Sequence, residues 1–191
     1  MMKRSEFVVS IADLPRQEGA QRHYTFTFTA PEGIGVDLLK VAQGTPIEAD
    51  ITFESVSEGV FVHGTVHTQA MGECARCLKP LTWSVDESIA ELVYYPQSVK
   101  ALGDVDAEDA DELPVTDGDF IDLEPLLRDA VVLSLPLQPL CTPQCRGLCP
   151  ECGEPWDNLP SDHRHEHFDP RMSALDELAA QLAAEQEKAG A

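Results

Sequence analysis

The chain has 191 residues, 43% hydrophobic and 25% charged, the proportions of an ordinary globular protein, which excludes wholesale disorder. It carries 13 Lys and Arg against 34 Asp and Glu, a formal net charge of −21. Such a chain is repelled by bare phosphate backbones, which excludes indiscriminate nucleic-acid binding; only a local basic patch or a protein partner would bring it to RNA or DNA. No run of about 18 apolar residues exists, so no helical membrane span is expected.

Met1-Met2-Lys3-Arg4 begins like a signal peptide. The apolar stretch Phe7 to Ala12 is short, however, broken by Ser10 and closed by Asp13, and no small-residue cleavage site follows. The expected compartment is the reducing cytoplasm, where the six Cys serve as thiols or metal ligands rather than disulfides.

In chain order, Asp13-Leu14-Pro15 and Gln17-Glu18-Gly19 read as irregular, and Tyr24 to Thr29 alternates aromatic and Thr with the period of a half-buried strand. Ile47 to Val56 reads as a strand ending at the hairpin signal Ser57-Glu58-Gly59, with a return through Val60, Val62, Thr65 and Val66. A further strand runs from Leu81 to Val93, which places Cys74-Ala75-Arg76-Cys77 at a turn between strands. Residues 97–119 are acidic and poor in core residues; like charges repel there, and a mobile loop is expected.

Asp122 reads as the N-cap of a core helix over 122–134, with Pro125 in its first turn and an apolar face of Leu123, Leu126, Leu127, Ala130, Val131 and Leu133. Pro136 and Pro139 stop it. A C-terminal helix is expected from Asp169-Pro170 onward, with Met172, Leu175, Leu178, Ala179 and Leu182 as its stripe, and residues 185–191 as a frayed tail. The expected fold is α+β and one domain over 1–191: a β-rich body of about six short strands, the core helix, a Cys-rich zinc-binding connector and the C-terminal helix.

The cysteines carry the strongest chemical signal. Cys74 and Cys77 form one CxxC pair, and Cys141, Cys145, Cys149 and Cys152 follow within twelve residues. Zinc takes four soft ligands in a tetrahedron, and two Cys a few residues apart wrap one face of it. Cys74 and Cys77 pair either with Cys141 and Cys145 or with Cys149 and Cys152. The first choice leaves Cys149 and Cys152 to join two of His163, His165 and His167, which orphans no Cys and is preferred. His23, His63 and His67 fall on strands and are read as non-ligands.

A CxxC pair is also a redox motif, but those pairs open helices, where the thiol pKa is lowered; the β-turn placement disfavours that chemistry. Full Cys ligation also closes a zinc site and disfavours hydrolysis. No catalytic residue is assigned.

Arg76, Lys79, Arg146, Arg164 and Arg171, five of the 13 basic residues, all lie beside the Cys and His motifs. They either offset thiolate charge or form a basic patch for an RNA backbone, and the two roles are compatible.

Cys74-Ala75-Arg76-Cys77-Leu78 ahead of a strand, Ile121-Asp122-Leu123 opening a helix, Leu135 to Cys141, Cys145-Arg146-Gly147-Leu148-Cys149-Pro150-Glu151-Cys152-Gly153 and the closing Asp169-Pro170-Arg171 together resemble the YceD family over roughly residues 20 to 180. The resemblance implies a cytoplasmic bacterial protein needed for normal accumulation or processing of large-subunit (23S) rRNA. Its partner would be that rRNA or a pre-ribosomal particle, reached directly or through a ribosomal protein. The family brings no catalytic residues. Where many relatives carry further Cys after the Cys-Gly segment, this chain has His163, His165 and His167.

Overall fold

The computed structural model describes residues 5–101 and 113–165, together with Leu175, Leu178 and Ala179. The fold is α+β and β-dominated. The chain divides into two compact units, Met1–Gly147 and Leu148–Ala191.

The first unit is built on an antiparallel sheet of β2 (Gln21–Thr29), β5 (Pro46–Ser55), β6 (Gly59–Glu73) and β7 (Pro80–Tyr94), in that order. A small hairpin of β3 (Gly35–Val36) and β4 (Leu39–Lys40) joins β6 beyond the end of β5, through Leu39 opposite Gly72. Its backbone lies so close that a Cβ on Gly72 would sit 1.8 Å from the Leu38 carbonyl oxygen, so only Gly fits there.

Period-two alternation decides which face is buried. Ile47, Ala49, Ile51 and Phe53 of β5 and Val60, Val62, Val66 and Ala70 of β6 all point inward and are buried. The other face carries Glu48, Asp50, Thr65, His67 and Gln69. Strands β6 and β7 are longer than their sequence signals suggested, pairing without a break from Gly59–Tyr94 to Glu73–Pro80.

The apolar stretch near the N-terminus is part of the fold. Val8–Ser10 forms β1, which pairs antiparallel with β8 (Phe120–Asp122). Phe7 stacks on Phe28 with ring centroids 4.6 Å apart, and its carbonyl accepts the Leu123 N–H at 3.0 Å.

Two helices are described: α1 (Pro96–Ala101) and α2 (Glu124–Ser134). Asp122 is not the N-cap of α2. It ends β8, and its carboxylate accepts the Glu124 N–H at 3.0 Å, while Leu123 occupies the cap position without a side-chain bond. Leu126, Leu127 and Val131 are buried against the sheet's inner face, as is Leu135 just beyond the helix. Leu133, expected in the apolar face, is instead 84% exposed, because at 100° per residue it lies about 140° round α2 from the arc centred between Leu127 and Val131.

The expected loop over 97–119 is only partly one. It starts inside α1, and Leu113–Asp119 is anchored: the Tyr94 N–H donates to the Pro114 carbonyl at 2.8 Å, the Thr116 N–H donates to the Tyr94 carbonyl at 2.9 Å, and Thr116 is buried. Residues 102–112 lie outside the described residues.

Among the described residues of the second unit, Trp156–Asn158 forms a 3-10 turn. Of the expected C-terminal helix, Leu175, Leu178 and Ala179 are helical; the rest of it, and the tail at 185–191, lie outside the described residues. No helix among the described residues is long and apolar enough to cross a membrane.

Truncating a buried and an exposed leucine of α2 checks this packing. Leu127→Ala should destabilise by about 2–5 kcal/mol, whereas Leu133→Ala should stay within about 0.5 kcal/mol of the parent, both measured by urea denaturation.

Candidate metal centres

The hairpin of β6 and β7 closes through residues 74–79, and the turn is built around Cys74. The Cys74 N–H donates to the Lys79 carbonyl at 2.9 Å, and the Leu78 N–H donates to the Cys74 carbonyl at 3.0 Å. Leu78 takes a left-handed φ of 59° to close the loop, a conformation costly for a residue with a Cβ.

The second unit repeats this turn. The Cys149 N–H donates to the Glu154 carbonyl at 2.8 Å, the Gly153 N–H donates to the Cys149 carbonyl at 2.9 Å, and Gly153 has φ 73°. Each CxxC is thus one knuckle with the same two backbone bonds and the same left-handed fifth residue. The first uses Leu where the second uses Gly.

Four sulfurs meet at the first knuckle. Cys74 Sγ lies 3.8 Å from Cys145 Sγ, and Cys77 Sγ lies 3.5 Å from Cys141 Sγ; all four lie within 4.8 Å of one another. A tetrahedron of sulfurs about 2.3 Å from a zinc ion has edges of about 3.8 Å. The donor set and its dimensions therefore fit a tetrahedral thiolate site. Cys74, Cys77 and Cys145 are buried, and Cys141 is the exposed member.

The segment bearing Cys141 and Cys145 is held to the turn by two further bonds. The Ala75 N–H donates to the Pro139 carbonyl at 2.8 Å, and Arg76 Nη1 donates to the Cys145 carbonyl at 2.8 Å. Gly147, with φ 81°, passes close beneath Arg76: a Cβ there would meet the Arg76 carbonyl oxygen at 3.1 Å.

The second cluster joins Cys149 and Cys152 to His163 and His165. Cys149 Sγ lies 3.3 Å from His165 Nε2, and Cys152 Sγ lies 3.6 Å from His163 Nε2. A sulfur and a nitrogen bound to one tetrahedral zinc are about 3.6 Å apart, so this donor set fits too. Glu151 Oε2 lies 3.5 Å from His165 Nδ1, a carboxylate on the far nitrogen that orients the ring and leaves Nε2 to face Cys149. His163 meets His165 edge to face at 4.5 Å and Trp156 at 5.6 Å.

Backbone amides prepare the sulfurs for charge. Burial raises the Cys74 thiol, but N–H groups of Cys141, Cys77 and Arg76 aimed at its sulfur outweigh that and bring it down to about 6. The Cys152 N–H does most to lower Cys149, against burial and with help from Glu151 and His163, again to about 6. At Cys145 the Gly147 N–H lowers the thiol, but burial and the neighbouring Cys77, Cys141 and Cys74 thiols push it up to about 12. Cys141 is raised first by Cys77 and then by burial. Without a cation, the first cluster keeps protons on Cys141 and Cys145 while Cys74 ionises; a dication replaces them with its own charge.

The structure thus brings together Cys74, Cys77, Cys141 and Cys145 in one group, and Cys149, Cys152, His163 and His165 in the other. His167 and Arg171 lie outside the described residues. Arg76, Lys79 and Arg146 each lie within two residues of a ligand of the first group, and Arg164 lies between the two His of the second. His23, His63 and His67 stand on β2 and β6, outside both groups. The orienting role of Glu151 was not read from the sequence, where it is one carboxylate among 34 acidic residues.

The family profile described as "Large ribosomal RNA subunit accumulation protein YceD" matches residues 62–179, a span that contains every residue of both clusters. An uncharacterized protein of Mycobacterium tuberculosis is 42% identical over 174 residues, covering 91% of this chain and 82% of that protein. One of Mycobacterium leprae is 37% identical over 176 residues, covering 92% and 79%. The uncharacterized protein YlbN of Bacillus subtilis is 27% identical over 134 residues, covering 70% and 72%. No solved structure matches the chain. The chain belongs to the YceD family.

The left-handed residues make a paired test of the knuckles. Gly153→Val should weaken retention of any metal loaded at the second cluster and cost about 1–2 kcal/mol of local strain. Leu78→Gly should preserve the first cluster and shift stability by no more than about 1 kcal/mol. Chelator competition and urea denaturation read the two effects.

Proposed function

We propose that this YceD-family chain is a non-enzymatic, cytoplasmic factor of large-subunit ribosome biogenesis, stabilised by two structural Zn2+ ions. One is held by Cys74, Cys77, Cys141 and Cys145, the other by Cys149, Cys152, His163 and His165. The observation that carries the ribosomal part is the family match over residues 62–179, whose description names accumulation of large ribosomal RNA. The zinc part rests on two donor sets with tetrahedral spacing.

Each set supplies four protein ligands, which leaves no position for a reacting water. That is the signature of a structural rather than a hydrolytic zinc, and it disfavours an RNA-processing hydrolase. Structural zinc in small modules contributes about 10–16 kcal/mol at neutral pH.

RNA contact, if direct, falls to the basic residues beside the ligands: Arg76, Lys79, Arg146, Arg164 and Arg171. Elsewhere a chain of net charge −21 repels phosphate. The same charge favours a second reading, a zinc-stabilised adaptor that reaches the particle through a basic protein partner. On that reading a ribosomal protein or RNase co-purifies after nuclease treatment.

A deletion strain tests the main reading. Loss of the gene should lower 23S rRNA relative to 16S rRNA, and the wild-type gene should restore it. Lys79→Glu/Arg146→Glu should bind zinc normally yet crosslink less to large-subunit rRNA. Unchanged rRNA levels in the deletion strain, with no rRNA recovered on crosslinking, would contradict the proposal.

A further inference from the structure

Strand β7 is the edge of the main sheet: β6 covers one side of it along its whole length. On the other side, Tyr94 exchanges backbone bonds with Pro114 and Thr116. Strand groups repeat with period two, so Leu92, Ala90 and Ser88 turn their N–H and C=O groups to the same outer side as Tyr94. Among the described residues, no backbone partner meets them there. Bare strand edges are templates for pairing with another extended chain.

A groove of about 870 Å3 opens along this edge, between β7 and α2. Ile89, Leu126, Ala130 and Leu133 give it an apolar surface. Its charged lining residues are Glu87, Glu91 and Asp129, all exposed, and no Lys or Arg lines it. Arg128, the basic residue beside it on α2, is turned to Glu124 and the Gly33 carbonyl.

We infer that this groove docks an extended, lysine- or arginine-bearing segment of a partner protein, added as a strand to the edge of β7. The inference deepens the docking reading above. The outer N–H and C=O groups of Ser88, Ala90 and Leu92 supply the ladder. Aliphatic side chains of the segment lie on Ala130 and Leu133, above the buried Ile89 and Leu126, and its cations meet Glu87, Glu91 and Asp129. Charge selects among occupants. RNA is repelled by the three carboxylates, which have no Lys or Arg beside them in the groove among the described residues. The chain's own residues 104–112 carry six carboxylates and no base, so they are repelled as well.

The test uses the full-length, zinc-loaded protein and a fluorescent 12-residue peptide of alternating Lys and Val, read by polarisation at 0.15 M salt. Its counterpart with Glu in place of Lys and a poly-uridine oligonucleotide are the controls. The Lys peptide should bind and both controls should fail. Glu87→Lys/Glu91→Lys/Asp129→Lys changes only exposed side chains and should weaken binding about tenfold or more. Ala90→Pro removes one outward N–H, a change tolerated at a sheet edge, and should weaken binding without loss of zinc.

No binding of the Lys peptide, equal binding by the triple variant, or preference for the oligonucleotide would each overturn the inference. Because the readout is peptide affinity, a negative result here is separable from the rRNA phenotype of the deletion strain.

Discussion

The joint between the β6–β7 turn and the segment after α2 is the constraint on which the first unit's C-terminal end depends. From Pro136 to Gly147 the chain forms neither helix nor strand, so no ladder of backbone bonds fixes it. It is tied by Ala75 to Pro139, by Arg76 to Cys145, and by four sulfurs within 4.8 Å of one another. Thiols packed that closely do not all ionise by themselves: backbone N–H groups bring Cys74 down to about 6, while burial and the neighbouring thiols push Cys145 up to about 12. A dication resolves the conflict by accepting all four as thiolates. Metal binding and the ordering of this segment are then one event.

The same logic applies more severely to the second unit. Among its described residues, Cys149 is the only buried apolar side chain. Below about 70–80 residues a single hydrophobic core rarely suffices, and small units add a metal, a disulfide or a partner. All six cysteines are free thiols, which leaves the Cys and His donor set as the cross-link available within the unit. The repetition of one knuckle in both units follows from what a CxxC must do to gather charge: expose two sulfurs to one point, aim backbone N–H groups at them, and turn back through a left-handed residue.

Much of this was legible in sequence. The loose alternation from Ile47 to Val56 announced a strand, and the strand signals on either side of Cys74 and Cys77 placed that pair at a turn. Cys74, Cys77, Cys141 and Cys145, grouped by spacing in the sequence, lie within 4.8 Å of one another by their sulfurs. What was not legible depends on backbone or on tertiary register. The anchoring of 113–116 runs through main-chain groups of Tyr94, which leave no trace in side-chain pattern. Leu133 carries the right residue type at helical spacing, yet its exposure is decided by which arc of α2 faces the sheet. Pairing of β1 with β8 joins residues more than 100 positions apart, and neither three-residue strand carries enough period to announce it.

The charge pattern links these parts to function. Basic residues cluster in sequence around metal ligands, whereas the β7 groove is acidic and apolar. On the proposed function, the basic residues would be where a strongly acidic chain meets phosphate, and the β7 groove where it meets a cationic protein. The account stands on the two metal centres, and native mass spectrometry tests them most directly. Two zinc ions per wild-type chain, falling to one in Cys149→Ser/Cys152→Ser and to one in Cys74→Ser/Cys77→Ser, is the predicted result. A wild-type chain that carries no zinc, or a single zinc lost in both variants, would contradict it.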